Sequence, residues 1–421
     1  MTKNEDMVEI PATLTPQSHD AYLSVSGGEP LIFHCHHYNI VLQQSIEDAA
    51  AQLGGEEFLR EAAAIVAFEQ LNESFGKIDV EERLKIVSEI FRVQGFGLLK
   101  FETMNEQGGV ATLKDSHYGL GFASRTPRRK TPACFFPTGF IEGALGAIYG
   151  GGAGAYSAQE TSCVAVSGGD CRIEIHRRAE PQELSRSPGV GGVPKSLPER
   201  NPLASNIDED AILAALATLP LVGDDEGQIP AFGVLLTRHY ANYYNRISCE
   251  LLTRLQDKAD FLKEAAREVL REAGHVCAFN TFGGIMESPE WEGLIQPMIK
   301  ERSDWVSGIV ACINALGWGR WTVTSLDEGK SLTVRVDGSY ESNYFRAACK
   351  IDDAPQCHFC CGAVAGIMNL LYIGDITHAP ELSPEYYKTL FSGPKSFRAR
   401  ETQCRSQGHE YCEFVATPQS Y

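Results

Sequence analysis

Apolar and polar side chains alternate along Leu332-Thr-Val-Arg-Val336, the period of two that sets one face of a strand against a core. Residues 96–104 and 318–325 mix the two classes more loosely at the same period, so each half of the chain is predicted to carry a hairpin-containing sheet. Strand-like sequence at Leu31-Ile-Phe-His-Cys-His-His-Tyr-Asn39 precedes a helix-like run that includes Phe58-Leu-Arg-Glu-Ala-Ala63. The same order returns as Leu235-Leu-Thr-Arg-His-Tyr240 and Phe261-Leu-Lys-Glu-Ala-Ala266. Gly95-Phe-Gly97 then matches Gly317-Trp-Gly319, and Ser116 matches Ser339, each serine standing 18 residues before a cysteine.

Those cysteines open the most similar segment. Cys134-Phe-Phe-Pro-Thr-Gly139-Phe-Ile-Glu-Gly143 aligns with Cys357-His-Phe-Cys-Cys-Gly362-Ala-Val-Ala-Gly366, and the glycine pairs, four apart, fall on one side of a helix that can approach a neighbour closely. A shared order of this length predicts two homologous domains, 31–176 and 232–418. The first thirty residues read as an irregular tail. Residues 177–231, with Pro188-Gly-Val-Gly-Gly-Val-Pro194, read as a linker with a connecting helix, and 372–395 as an insertion in the second domain.

Each half also holds a Glu, three residues to a Cys, and eight more to a second Cys: Glu160, Cys163 and Cys171, then Glu401, Cys404 and Cys412. Gly168-Gly169 and Gly408 within these intervals suit a tight turn between two strands, which would bring the cysteines together. Adding the helix-start cysteine gives Cys134, Glu160, Cys163 and Cys171 in one half, and Cys357, Glu401, Cys404 and Cys412 in the other. Three thiolates and a carboxylate suit tetrahedral zinc, and four protein ligands leave no open position, so both zincs are expected to be structural. Cys361, one helical turn from Cys357, is an alternative ligand.

The order helix-start Cys, Gly, Gly, then Glu-x-x-Cys-x7-Cys resembles the 4-vinyl reductase domain, and closely the sensory domains of phenol- and toluene-responsive transcription activators. The resemblance implies an α+β fold: two 4-vinyl-reductase-like domains, each an antiparallel sheet packed with helices and closed by a zinc-bound hairpin. It also implies zinc at the four matched positions and an aromatic effector in a separate apolar pocket beside the sheet. In such dimeric sensors two copies associate, so the tandem chain is expected to form an intramolecular pseudo-dimer. Residues at the corresponding places are Phe96, His117 and Tyr118 in the first half, and Trp305, Trp318, Trp321, Tyr340 and Tyr344 in the second. The histidine run His34-Cys35-His36-His37 adds a further candidate. On a strand His34 and His36 would share a face, where they could ligate an additional metal or a haem iron, or act as acid and base. His37 is matched with His239.

Composition narrows the function. A formal charge of −18 with no basic block argues against direct nucleic-acid binding, and neither a GxxxxGK[ST] loop nor a DNA-reading helix pair follows the sensory-like region. The start lacks the features of a signal peptide and no apolar run approaches a membrane span, which reads as cytoplasmic. Thirteen cysteines, an odd number without a secretory signal, point to reduced, metal-binding thiols. The leading expectation is a binding or sensory protein for a small aromatic or tetrapyrrole-like ligand that signals to a protein partner. The alternative is a metal-dependent or reductase-type enzyme acting through His34, His36 and His117, and the third is an interaction scaffold.

Overall fold

Every residue of the strand Glu29–Cys35 is buried, where a half-exposed strand would alternate. Its partner explains this. In the computed structural model, which describes residues 8–19, 22–51, 54–125, 127–255, 258, 260–349 and 354–419, this strand pairs antiparallel with Val234–Tyr240 of the second half. Phe33 and Arg238 face each other at the centre of the pairing, each two residues before the cap of the following helix, Cys35 and Tyr240. A pseudo-twofold axis therefore passes through this pair, and the Arg238 guanidinium lies 4.8 Å from the Phe33 ring centre.

In chain order the first half comprises β1 (Gln17–His19), β2 (Leu23–Ser26), β3 (Glu29–Cys35), α1 (His36–Ala49), α2 (Gly55–Leu71), α3 (Val80–Val93), β4 (Leu98–Asn105), β5 (Gly108–Lys114), α4 (His117–Ala123), α5 (Phe135–Tyr149), β6 (Tyr156–Ser162), the single turn α6 (Val164–Ser167) and β7 (Cys171–Arg177). After α7 (Glu209–Leu216), the second half follows as β8 (Ile229–Ala231), β9 (Val234–Tyr240), α8 (Ala241–Arg254), α9 (Asp260–Cys277), the short α10 (Gly283–Met286), α11 (Arg302–Asn314), β10 (Arg320–Asp327), β11 (Ser331–Asp337), α12 (Tyr340–Ala348), α13 (His358–Met368), α14 (Pro384–Phe391), β12 (Phe397–Gln403) and β13 (Cys412–Pro418). Among the described residues these make a mixed α+β structure with three antiparallel sheets. Two are four-stranded with matching orders, β4-β5-β7-β6 and β10-β11-β13-β12, and the third, β1-β2-β3-β9-β8, takes strands from both halves. No helix among the described residues is long and apolar enough to cross a membrane.

Five expectations change. The N-terminal stretch expected to be irregular contributes β1 and β2, because the exposed edge of β3 needs a partner for its backbone groups. His34 and His36 do not share a strand face, since β3 ends at Cys35 and His36 opens α1. The counterpart of His239 is therefore His34, each being the residue before its helix cap, and not His37. The helical match also shifts. Gly139 on α5 approaches the Arg60 carbonyl and Gly362 on α13 approaches the Arg271 carbonyl, which equates Leu59-Arg-Glu-Ala62 with Leu270-Arg-Glu-Ala273 and replaces the Phe58/Phe261 pairing. Finally, not all thiols are free: Cys249 on α8 is bonded to Cys349, which caps α12.

Glu29, at the start of β3, ties the linker to the shared sheet. Asn242 Nδ2 donates to Glu29 Oε2 at 2.9 Å and also to Ser187 Oγ and the Gly189 carbonyl. Burial pushes the Glu29 carboxyl up to about 8 from an ordinary 4.5. The folded state thus holds a proton that the unfolded chain releases, and this group's contribution to stability is present below pH 4.5 and lost as pH rises through 8. Glu29→Gln should remove that slope. Relative to wild type, the variant is expected to gain about 2–4 kcal/mol between pH 5 and pH 9 in urea denaturation. A difference independent of pH would contradict this.

Candidate metal centres and aromatic site

Two residues three apart on a regular strand point to opposite faces, so Glu160 and Cys163 could not meet one ion on an unbroken β6. The strand solves this with a bulge. Glu160 pairs with Ile173 and Ser162 with Arg172, leaving Thr161 as the extra residue, and Glu401, Thr402 and Gln403 repeat the arrangement in β12. The chain between the cysteines is one helical turn, Val164–Ser167 or Arg405–Gln407, rather than the tight hairpin expected. The glycines serve after it, at φ values of 78° for Gly168 and Gly169 and 97° for Gly408.

Cys134 and Cys357 cap α5 and α13. Each metal-site glutamate accepts the backbone N–H of that cap, Glu160 Oε2 from Cys134 at 2.9 Å and Glu401 Oε2 from Cys357 at 3.0 Å. The second oxygen of each carboxylate, Glu160 Oε1 and Glu401 Oε1, is buried without a hydrogen-bond partner. The donor atoms of Cys134, Glu160, Cys163 and Cys171 all lie within 4.8 Å of one another, as do those of Cys357, Glu401, Cys404 and Cys412. Among the described residues these are the groups of three or more such donors. Sγ atoms of Cys134 and Cys171 are 3.6 Å apart, as are those of Cys357 and Cys412. Two sulfurs about 2.3 Å from a tetrahedral zinc would stand about 3.8 Å apart. Donor types, spacing and the orphaned oxygens fit a metal ion such as zinc.

The electrostatics agree. Burial raises Glu160 to about 7 and Glu401 well above the carboxylate range, whereas hydrogen bonds from the neighbouring thiols pull Cys163 and Cys404 far down. Such buried acids are costly to ionise together unless a cation neutralises them. The serines 18 residues upstream support the cysteines. Ser116 Oγ accepts from Gly119 N at 3.1 Å and lies 3.2 Å from Cys134 Sγ, and Ser339 Oγ lies 3.5 Å from Cys357 Sγ. Cys361 stays outside the set.

The expected ligand residues fall into two buried clusters, each completed by a histidine from the opposite half. In the first, Phe96 and Phe136 pack on His239 at ring-centre distances of 5.0 and 4.2 Å. Tyr118 Oη is 3.0 Å from His239 Nε2, and His239 Nδ1 accepts from Tyr240 N at 2.9 Å, so both ring nitrogens are used. In the second, His34 is stacked between Tyr38 at 4.0 Å and Trp318 at 5.0 Å, with Phe359 at 4.9 Å and Tyr340 at 6.1 Å edge-on. Trp321 adjoins Trp318. His34 Nδ1 lies 3.7 Å from Cys277 Sγ, and His34 Nε2 is buried without a partner. Burial holds the imidazole well below its ordinary range, hence neutral.

His117 sits between the clusters, its Nε2 2.9 Å from Asn39 Nδ2; Asn39 also donates to Thr237 and accepts from the Tyr244 hydroxyl. Trp305 and Tyr344 are not brought into either cluster: Trp305 packs on Trp291, and Tyr344 neighbours Phe345. The three histidines offered as acid, base or metal ligand do not converge. His36 and His117 have ring centres 6.5 Å apart, but His34 is enclosed by rings and His36 lies beyond the end of β3, its Nδ1 accepting from Leu235 N, so the strand-face pairing of His34 with His36 expected to hold a shared metal or haem is not present. Asn39, Thr237, Phe136, Phe359 and Cys277 escaped sequence reasoning. Phe136 and Phe359 alone carried a signal, each lying two residues after a matched cysteine.

One layer outward, a cleft of about 410 Å³ opens between the halves, lined by His36, His37, Ile40, Phe279, Leu382 and Tyr387 among others. His36 and Val276 on its wall adjoin Cys35 and Cys277 in sequence, while the rings around His34 do not line it.

No family model matches the sequence, and no curated protein matches it, so the resemblance to the 4-vinyl reductase domain stands on its motif residues. Among solved structures, the chain is similar to the crystal structure of the phenol-responsive sensory domain of the transcription activator PoxR with phenol, at 18% identity and a TM-score of 0.34, over 49% of this chain and 88% of that one.

Proposed function

We propose that the chain is a tandem 4-vinyl-reductase-like protein, with domains at 31–176 and 232–418 folded as an intramolecular pseudo-dimer, that binds a small aromatic ligand between its halves. The two Cys3Glu sets hold zinc in a structural role, tying the first turn of α5 and of α13 to the strands that return beneath them. The single observation that carries the reading is His34. It is a neutral buried imidazole in a cage of aromatic rings from both halves, with one nitrogen unpartnered. A ring bearing one hydroxyl satisfies that nitrogen and keeps the remaining contacts apolar. The cleft between the halves is the approach that this reading assigns to the ligand. Because the ligand would touch both halves, its occupancy would alter how they pack, which is how such a protein would signal to a partner.

Phenol is the probe. Trp318 stacks on His34, so titration with phenol is expected to change tryptophan emission saturably, and His34→Ala, checked for folding by circular dichroism, should weaken binding at least about tenfold. No saturable change, or equal affinity in the variant, would count against the reading.

A further inference from the structure

The pseudo-twofold relation leaves one groove covered and its counterpart open. In the second half the linker crosses the groove between α11 and the edge strand β10. Leu203 N donates to the Val323 carbonyl at 2.8 Å, and Asn206 binds Asp304 through its backbone N–H to Oδ1 and its side-chain amide to Oδ2, both at 3.0 Å. Arg320 holds the Pro198 carbonyl. Beneath this segment Asp304, Thr322 and Val323 are 0, 2 and 5% exposed.

The first half repeats the anchors, and among the described residues no segment is bonded to them, although Val8 and Glu9 of the chain's own start also line this groove. Asp304 stands three residues after the α11 cap Glu301, and Glu82 three after the α3 cap Asp79. Val323 opens the bulge of β10, and Phe101 opens that of β4. Val323 pairs with Val334 and Phe101 with Ala111 at matching places, so the Phe101 carbonyl is directed out of the sheet edge as that of Val323 is. Here Glu82 and Phe101 are only half-buried and Lys100 is exposed. An open groove of about 910 Å³ lies over them, floored by Leu84, Leu99 and Met104. Arg92 is paired with Glu89 and Lys85 with Glu81, while Glu82 makes no ion pair among the described residues. Where Arg320 grips the linker, the first half has Leu98.

We propose that the α3/β4 groove is a docking site for a partner protein, which inserts an extended segment as 203–206 do in the second half. The segment adds to the edge of β4 by donating a backbone N–H to the Phe101 carbonyl, and three residues later places an amide donor such as asparagine on Glu82. The chain's own linker is the template for that chemistry, and the covered groove shows how the unpaired edge is satisfied when a segment is present.

The probe is a fluorescein-labelled peptide of the sequence 197–207, titrated against the full chain by anisotropy, with amide hydrogen exchange to locate it. Saturable binding is expected, with slowed exchange at 98–104 and about tenfold weaker binding to Glu82→Ala, a substitution at a half-buried position in the first turn of α3. A second variant, Met104→Lys, should also weaken binding by placing a charge on the apolar floor. Absence of binding would overturn the proposal. So would binding that leaves 98–104 unprotected and ignores Glu82→Ala. Binding seen only after residues 1–7 are deleted would also overturn it, by making the chain's own N-terminus the occupant.

Discussion

Cys412→Ser is expected to melt about 10–20 °C below wild type, corresponding to a loss of about 5 kcal/mol. Cys412 opens β13 in the centre of its sheet, beside β11 and β12, and its Sγ lies 3.6 Å from the helix-cap Cys357. On the proposed reading, losing one ligand would forfeit the ion and leave Glu401, Cys357 and Cys404 buried together without a cation, so the cost would exceed that of one missing sulfur. Cys171→Ser should act alike in the first half. Treating wild type with a strong chelator should lower its melting temperature toward that of the double variant, which should itself not respond. If the cysteines were ordinary core residues, each serine would cost about 1–2 kcal/mol and the chelator would change nothing.

The second large effect is steric. A Cβ built on Gly143 would meet the Ala64 carbonyl oxygen at 2.0 Å, and one on Gly139 would meet that of Arg60 at 2.1 Å. Neither obstacle is a flexible side chain, so α5 would have to withdraw from α2, opening a buried interface and pulling the Cys134 cap away from Glu160. Gly143→Ala is expected to cost about 3 kcal/mol or more, or to yield insoluble protein. Alanine ordinarily improves a helix by about 0.5–1 kcal/mol over glycine, so the sign itself is diagnostic. Gly293, whose added Cβ meets nothing within 4 Å, is the control: Gly293→Ala should be neutral or stabilising in the same denaturation experiment.

Duplication was legible because it preserved residue types at fixed spacing. That is why both four-member cysteine and glutamate sets could be read, and why the glycines four apart on α5 and α13 could be read as sites of close approach. Geometry that spacing does not encode was not legible. The bulges at Thr161 and Thr402 bring Glu and Cys onto one face, yet a threonine in a strand carries no mark of a bulge. The crossing of β3 to β9 was equally hidden, since a buried strand reads the same whichever neighbour covers it. That crossing is what exchanges His34 and His239 between the halves. Without it, His34 and His36 looked like companions on one strand, and the aromatic residues looked like two pockets each built within its own half.

Metal analysis of gently purified protein, by elemental analysis combined with native mass spectrometry, tests the central claim most directly. The account expects two zinc ions per chain, one lost with Cys171→Ser and the other with Cys412→Ser. Metal-free protein that is fully folded and insensitive to both substitutions would contradict it.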